Sequence, residues 1–139
     1  MPTIRQATAS DNSQILEILN ESDQFYTNIP IENFWVAEVD KKILGIIQLK
    51  EFDSYYLLSS LGVRLKSQNI GIGQELVKAA EKLAKAKNKN ILIYTTIPDF
   101  FIKLGFKKEY INNAMPPKDA YECFDCNPED CFFMKKEIK

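Results

Sequence analysis

Histidine is missing altogether from this chain of 139 residues. That removes Ser-His and Cys-His catalysis, and every histidine-ligated metal site, from consideration. An excess of charge of either sign is missing too. Eighteen Lys and Arg stand against 19 Asp and Glu, a net charge of -1, so nothing global points to nucleic acid. No apolar run approaches a membrane span, and the longest are strand-sized. The N-terminus, Met1-Pro2-Thr3-Ile4-Arg5, lacks the charged segment and long apolar stretch of a secretory signal. The expectation is a cytoplasmic protein that binds neither membrane nor nucleic acid. No internal repeat or linker divides the chain, so residues 1–139 read as one domain, long enough to bury a core.

What is present is a succession of strand and helix patterns. Thr3–Ala7 alternates and reads as a strand. Asp11 with Gln14 three residues later predicts a capping box, opening a helix that buries Ile15, Leu16, Ile18 and Leu19. Ser22 to Pro30, with Phe25, Tyr26 and Ile29, reads as a short helix or a loop. Phe34–Val39 and Ile43–Leu49 are strands joined by a turn at Asp40-Lys41-Lys42. Glu51 to Ser54 turns the chain into a long apolar strand, Tyr55–Val63. Ile91–Tyr94 is a short apolar strand suited to the centre of a sheet. Pro98 sits at the start of a short helix that Gly105 ends. The last strand, from Cys131 to Ile138, is expected to pair with residues 106–111.

The stretch Gln68-Asn69-Ile70-Gly71-Ile72-Gly73 organises the rest. The Tyr55–Val63 strand leads into it. Behind it Ile72, Leu76, Ala79, Ala80 and Leu83 recur at helical spacing, up to about Lys87. Lys78, Lys82, Lys85, Lys87 and Lys89 read as the solvated face. A strand therefore enters a glycine turn and leaves as an amphipathic helix. Glycines let the backbone approach a ligand, and the N–H groups of the first helical turn, backed by the helix dipole, bind phosphate. The dinucleotide fingerprint is excluded because Leu76 fills its third glycine position, and the Walker loop because no Gly-Lys-Ser/Thr follows.

The order Gln68-x-x-Gly71-x-Gly73, then Phe100-Phe101-Ile102-Lys103-Leu104-Gly105-Phe106, resembles motif A and the following F-Y/F-x-x-x-G-F segment of the GNAT superfamily of N-acetyltransferases. With their flanking strands the matches cover residues from about 33 to 109. The resemblance implies an α/β (α+β) fold, with a mixed, mostly antiparallel central sheet and helices on both faces. It implies an acyltransferase that uses acetyl-CoA as cosubstrate and acetylates a small-molecule amine. In that family the strand before motif A splays from its neighbour and presents backbone groups to the pantetheine arm, which falls here on Leu61, Gly62 and Val63. The pyrophosphate would be held at Gln68, Asn69, Ile70, Gly71, Ile72, Gly73 and Gln74. Phe101 stands where many relatives carry an acid tyrosine. It cannot donate a proton, and packs against the pantetheine arm or in the core. Ser60 and Tyr94 are substitutes by proximity in sequence, and Glu51 is the best carboxylate for a base, with a water relay as the other route. Tyr94-Thr95-Thr96 before Phe100-Phe101 is similar to the N-acetylglutamate synthase branch. The acid and arginine that mark its glutamate-specific strand are absent from Leu57–Leu61.

Cys123, Cys126 and Cys131 form C-x2-C-x4-C. Three thiols can hold zinc or an iron–sulfur cluster with Glu122, Asp125, Asp130 or a partner chain as fourth ligand. Structural zinc sites use four Cys or His, and this chain has only these three, so free thiols or a redox-sensitive Cys123–Cys126 pair are preferred. Two other functions fit the same residues: a CoA-binding sensor on this fold without efficient turnover, and an interaction protein built on the cysteine segment. A homodimer is compatible with all of them.

Overall fold

The computed structural model describes residues 2–22, 29–95, 97–109 and 132–138. A hairpin lies at its centre. Strand β2 (Phe34–Val39) pairs antiparallel with β3 (Lys42–Glu51). Asp40 and Lys41 both take positive φ, 50° and 66°, the condition for a two-residue turn whose twist matches that of the strands. In β3 the side chains of Ile43, Ile46, Ile47, Gln48 and Leu49 are all buried. A strand buried on both faces needs cover on both. Helix α1 (Asn12–Glu21) covers one face, where Ile15, Ile18 and Leu19 pack with Phe34, Val36, Ile43 and Ile46. Helix α2 (Ile72–Lys87) covers the other, where Ile72, Leu76, Val77 and Ala80 pack with Ile47, Leu49 and Leu58.

The seven strands of the described residues form one sheet. They are β1 (Thr3–Gln6), β2, β3, β4 (Tyr55–Val63), β5 (Asn90–Thr95), β6 (Lys107–Lys108) and β7 (Phe132–Lys136), in the order β1-β2-β3-β4-β5-β7-β6. Every pairing is antiparallel except β4 with β5. This is the mixed sheet with helices on both faces expected from the sequence. The last strand pairs with β6 as expected, and also with β5, inserting between them.

The β4–β5 junction positions the site. Their ladder runs only from Tyr55↔Asn90 to Leu58↔Ile93. Beyond it β4 keeps pairing with β3 as far as Val63, while β5 continues along β7 to Thr95↔Phe132. A β-bulge marks the point of divergence: Leu49 pairs with Leu58 and Gln48 with Ser60, so Ser59 is an extra residue. Bulges bend a strand and increase its twist. The Ser59 hydroxyl is buried there with no hydrogen-bond partner among the described residues.

Several local expectations change. The reciprocal cap before α1 is made by Thr8 and Asp11, not by Asp11 and Gln14. Asp11 accepts from the Thr8 N–H at 2.7 Å and is gripped by Arg5 at 2.8 and 2.9 Å. Gln14 instead accepts from the Ile43 N–H at 2.9 Å. Leu16 is 38% exposed rather than buried. In α2 the deepest apolar residues include Val77 and Ala84, rotating the buried stripe away from Ala79 and Leu83. The helix ends at Asn88 (φ 56°), as the sequence suggests. Lys89 leaves the solvated face: its ammonium donates to Glu51 Oε2 at 2.7 Å and to the Phe52 carbonyl at 2.6 Å. Phe25, Tyr26 and the three cysteines lie outside the described residues.

Candidate active site

A cleft of about 550 Å³ opens where β4 and β5 part. One wall is Leu61, Gly62 and Val63 of β4. Its floor is the turn and first residues of α2, namely Gln68, Asn69, Gly71, Ile72, Gly73 and Gln74. Ile97 and Phe100 close it from α3 (Pro98–Lys103), and Ser22 closes it from the end of α1. Among the described residues, no charged side chain lines it.

The turn is fixed by local chemistry. The Gln68 side-chain amide donates to the Val63 carbonyl at 3.1 Å, tying the turn to the end of β4. Asn69 and Gly71 both adopt positive φ, 67° and 91°. Asparagine tolerates that region and glycine favours it. A Cβ on Gly71 would meet nothing within 4 Å, so glycine is needed there for its backbone conformation and not for space. Glu75 is the residue whose N–H reaches back to the Gly71 carbonyl, at 3.0 Å. The preceding N–H groups, of Ile72, Gly73 and Gln74, belong to the helical turn that has no intrahelical acceptors. Among the described residues, no side chain caps this end. A cleft floor of uncapped N–H groups at the positive end of a helix of 16 residues accepts an anion such as a phosphate.

Of the residues expected at a cofactor, the cleft gathers Leu61, Gly62, Val63, Gln68, Asn69, Gly71, Ile72, Gly73 and Gln74. Two fall elsewhere. Ile70, in the turn, is 69% exposed and is not among the residues that line the cleft. Phe101 is 1% exposed, edge-on to Phe100 at 5.0 Å and to Phe106 at 5.3 Å between ring centres. It is a core residue, and Phe100 is the ring that faces the cleft, where a Cβ added to Gly73 would come within 3.3 Å of it.

The catalytic candidates are not gathered. Glu51 pairs with Tyr56, at the opposite end of β4 from the cleft. Five residues of strand separate Tyr56 from Leu61, or about 17 Å at roughly 3.4 Å each. Glu51 is held by Lys89 at 2.7 Å and Lys87 at 3.8 Å, and the Lys89 hydrogen bond pulls its pKa down. A carboxylate placed and stabilised in that way is not the base of this cleft. Ser60 is buried on β4 and donates to Gln48 Oε1 at 3.3 Å. Tyr94 follows the last β4–β5 pair and packs against Phe133 at 4.9 Å. Neither is part of the cleft lining. The sequence reading missed Ser22, Ser67, Ile97 and Phe100. Pro98 marks where α3 starts but not which of its two phenylalanines faces the cleft. Ser22 carried no signal of its own.

A family model described as an acetyltransferase (GNAT) domain matches residues 30–108. The chain is 37% identical over 93 residues to a probable N-acetyltransferase camello of Xenopus laevis, a match spanning 60% of this chain and 42% of that protein. Among solved structures it is similar to the N-acetylglutamate synthase of Neisseria gonorrhoeae complexed with coenzyme A and N-acetyl-glutamate. There the TM-score is 0.79 at 19% identity, covering all of this chain and 35% of that one. It is similar also to Arabidopsis thaliana Naa50 in complex with the bisubstrate analogue CoA-Ac-MVNAL, with a TM-score of 0.74 at 18% identity, covering 98% of each chain. The chain thus spans less than half of the first two proteins, and the structural likenesses establish the fold.

Proposed function

The chain belongs to the GNAT acetyltransferase family, and from that membership we propose that it binds acetyl-CoA in the β4–β5 cleft and transfers the acetyl group to a primary amine of a small molecule, amino acids being among the candidate acceptors. One observation carries this reading: a single cleft joins the uncapped N-terminus of α2, with its positive-φ glycine turn, to the place where the β4 and β5 ladders separate. The turn supplies a seat for pyrophosphate and the gap between strands supplies a slot for an extended arm. These two structural relatives are solved in complex with coenzyme A or a CoA conjugate, which supports the same ligand here. What accompanies the CoA moiety differs, N-acetyl-glutamate in one and MVNAL in the other, so the acceptor class is the open part of the proposal.

The chemistry asked of the cleft is modest. The amine lone pair attacks the thioester carbonyl carbon and the carbonyl oxygen gains negative charge. The C–S bond then breaks, the thiolate takes up a proton, and the amine nitrogen loses one. With no acid or base side chain in the described cleft lining, water carries the protons and the protein contributes position and backbone donors. The test is acetyl-CoA consumption across amino acids, polyamines, peptides and aminoglycosides. Turnover with any of these supports the enzyme. CoA binding with no turnover on any amine would favour a sensor, a reading motivated by the lack of ionisable groups among the described cleft residues.

A further inference from the structure

We propose that the hydroxyl of Ser22 donates a hydrogen bond to the acyl carbonyl of bound acetyl-CoA. This rests on the reading of the cleft as a CoA site. The cleft has two polar ends. At one, Ser67, Gln68, Asn69 and Gln74 surround the start of α2. At the other, beside Leu61 and Gly62, the polar side chain is Ser22. A ligand with its phosphates on α2 and its arm along β4 brings its acyl group to that second end.

Ser22 is placed there by three features. Its own N–H bonds to the carbonyls of Ile18 and Leu19, each at 3.1 Å, closing α1. The end of α1 rests directly on the β4 backbone. A Cβ at Gly62 would stand 3.0 Å from Ser22 Oγ and 3.0 Å from Ile18 Cγ2, which explains glycine at this position in a strand. Arg64, immediately after β4, then locks the helix down. Its Nε donates to the Ile43 carbonyl at 2.6 Å, its Nη2 to Gln14 and Glu17 at 3.2 and 3.3 Å, and its Nη1 lies 3.8 Å from Glu21. The Leu65 N–H reaches Glu21 at 3.4 Å. Ser22 Oγ, by contrast, is engaged by no hydrogen bond among the described residues, so its one donor is available to a ligand.

The role follows from where charge develops. As the C–N bond forms, the carbonyl π pair moves onto oxygen, and it returns when the C–S pair leaves with the thiolate. A donor aimed at that oxygen is worth more in the transition state than in the bound thioester. Ser22 keeps its proton throughout. It is a donor to the oxygen and not the acid that protonates sulfur.

Calorimetric titration of the native protein with acetyl-CoA and with CoA tests this without knowledge of the acceptor. A hydrogen bond to the acyl oxygen predicts that acetyl-CoA binds about 3–10-fold more tightly than CoA. In Ser22→Ala the two ligands bind alike, at the native affinity for CoA, with the melting temperature unchanged. Gly62→Ala, whose methyl group displaces the hydroxyl, loses the preference too. A native protein with no preference, or a Ser22→Ala variant that retains it, would overturn the proposal. So would an equal loss of affinity for both ligands in Ser22→Ala, which is the mark of a merely structural residue. Failure of the native protein to bind either ligand would instead overturn the CoA reading on which the proposal stands.

Discussion

Two adjacent phenylalanines should separate stability from ligand binding. Phe101 is 1% exposed and meets Phe100 and Phe106 edge-on, so Phe101→Ala removes a ring from a filled space. The loss of transfer free energy plus the cavity costs about 3–5 kcal/mol. The unfolding entropy is about 2.1 cal/mol/K per residue, hence about 0.3 kcal/mol/K for 139 residues, which puts the fall in Tm at about 10–17 °C. Phe100 is half-buried and borders the cleft. Phe100→Ala gives up less core and one aromatic contact, about 1–2 kcal/mol or about 3–7 °C. It also removes an apolar wall from the ligand, weakening CoA by about 5–30-fold. Thermal melts and calorimetric titration with CoA on both variants form the assay, with Phe101→Leu as the milder substitute if the alanine variant does not fold. The reasoning predicts a crossed result: a large Tm loss with near-native affinity for Phe101, and a small Tm loss with weakened affinity for Phe100. If Phe101→Leu loses CoA affinity while Phe100→Ala keeps it, the assignment of the two rings is wrong.

Asp11 gives a pH signature. The Arg5 hydrogen bonds hold its pKa at about 2 against an ordinary value of 3.8, a depressed carboxylate whose stabilisation is complete above pH 4 and disappears as pH falls through about 2. The difference corresponds to at most about 2 kcal/mol, so Asp11→Asn should be less stable by up to that amount at neutral pH, with the gap closing below pH 3 in urea melts. A gap that does not narrow in acid would refute the ion-pair account. Gly71→Val forces a β-branched residue into φ 91° at an otherwise open position. We expect about tenfold or greater weakening of CoA, with a fold cost of about 1–3 kcal/mol; unchanged affinity in a folded variant would mean the turn holds no phosphate. For the cysteines we propose free thiols. Serine at positions 123, 126 and 131 together should leave CoA affinity within about twofold, because the cleft residues among those described come from β4, the turn and start of α2, the start of α3 and the end of α1. Stoichiometric zinc or iron in protein purified anaerobically without chelator would contradict this.

The strand–turn–helix around Gly71 was legible because three independent patterns coincide there: an apolar strand, glycines at the turn, and helical spacing behind them. The β2–β3 hairpin was legible from its turn residues. The phase of α3 was not. Six residues are too few for periodicity to show which of two neighbouring phenylalanines turns inward. Glu51 was misplaced for a different reason. It stands at the end of β3, and because β3 and β4 are antiparallel that end lies beside the start of β4, whereas the cleft opens at the finish. Hairpin geometry alone contained that answer. Ser22 depends on a helix end meeting a strand 40 residues later in sequence, at Gly62, a contact that only tertiary packing creates.

The bulge at Ser59 has a consequence for how this cleft tolerates change. Leu58 and Ser60 keep their partners on β3 on either side of the extra residue, so β4 stays anchored on one edge while it swings away from β5 on the other. The opening is thus written as a count of residues and not as a set of side chains, like a zipper with one tooth too many on a single tape. Side chains along the parted stretch can be exchanged for others of similar size without closing it. Adding or removing one residue between Leu58 and Ser60 acts on the gap itself.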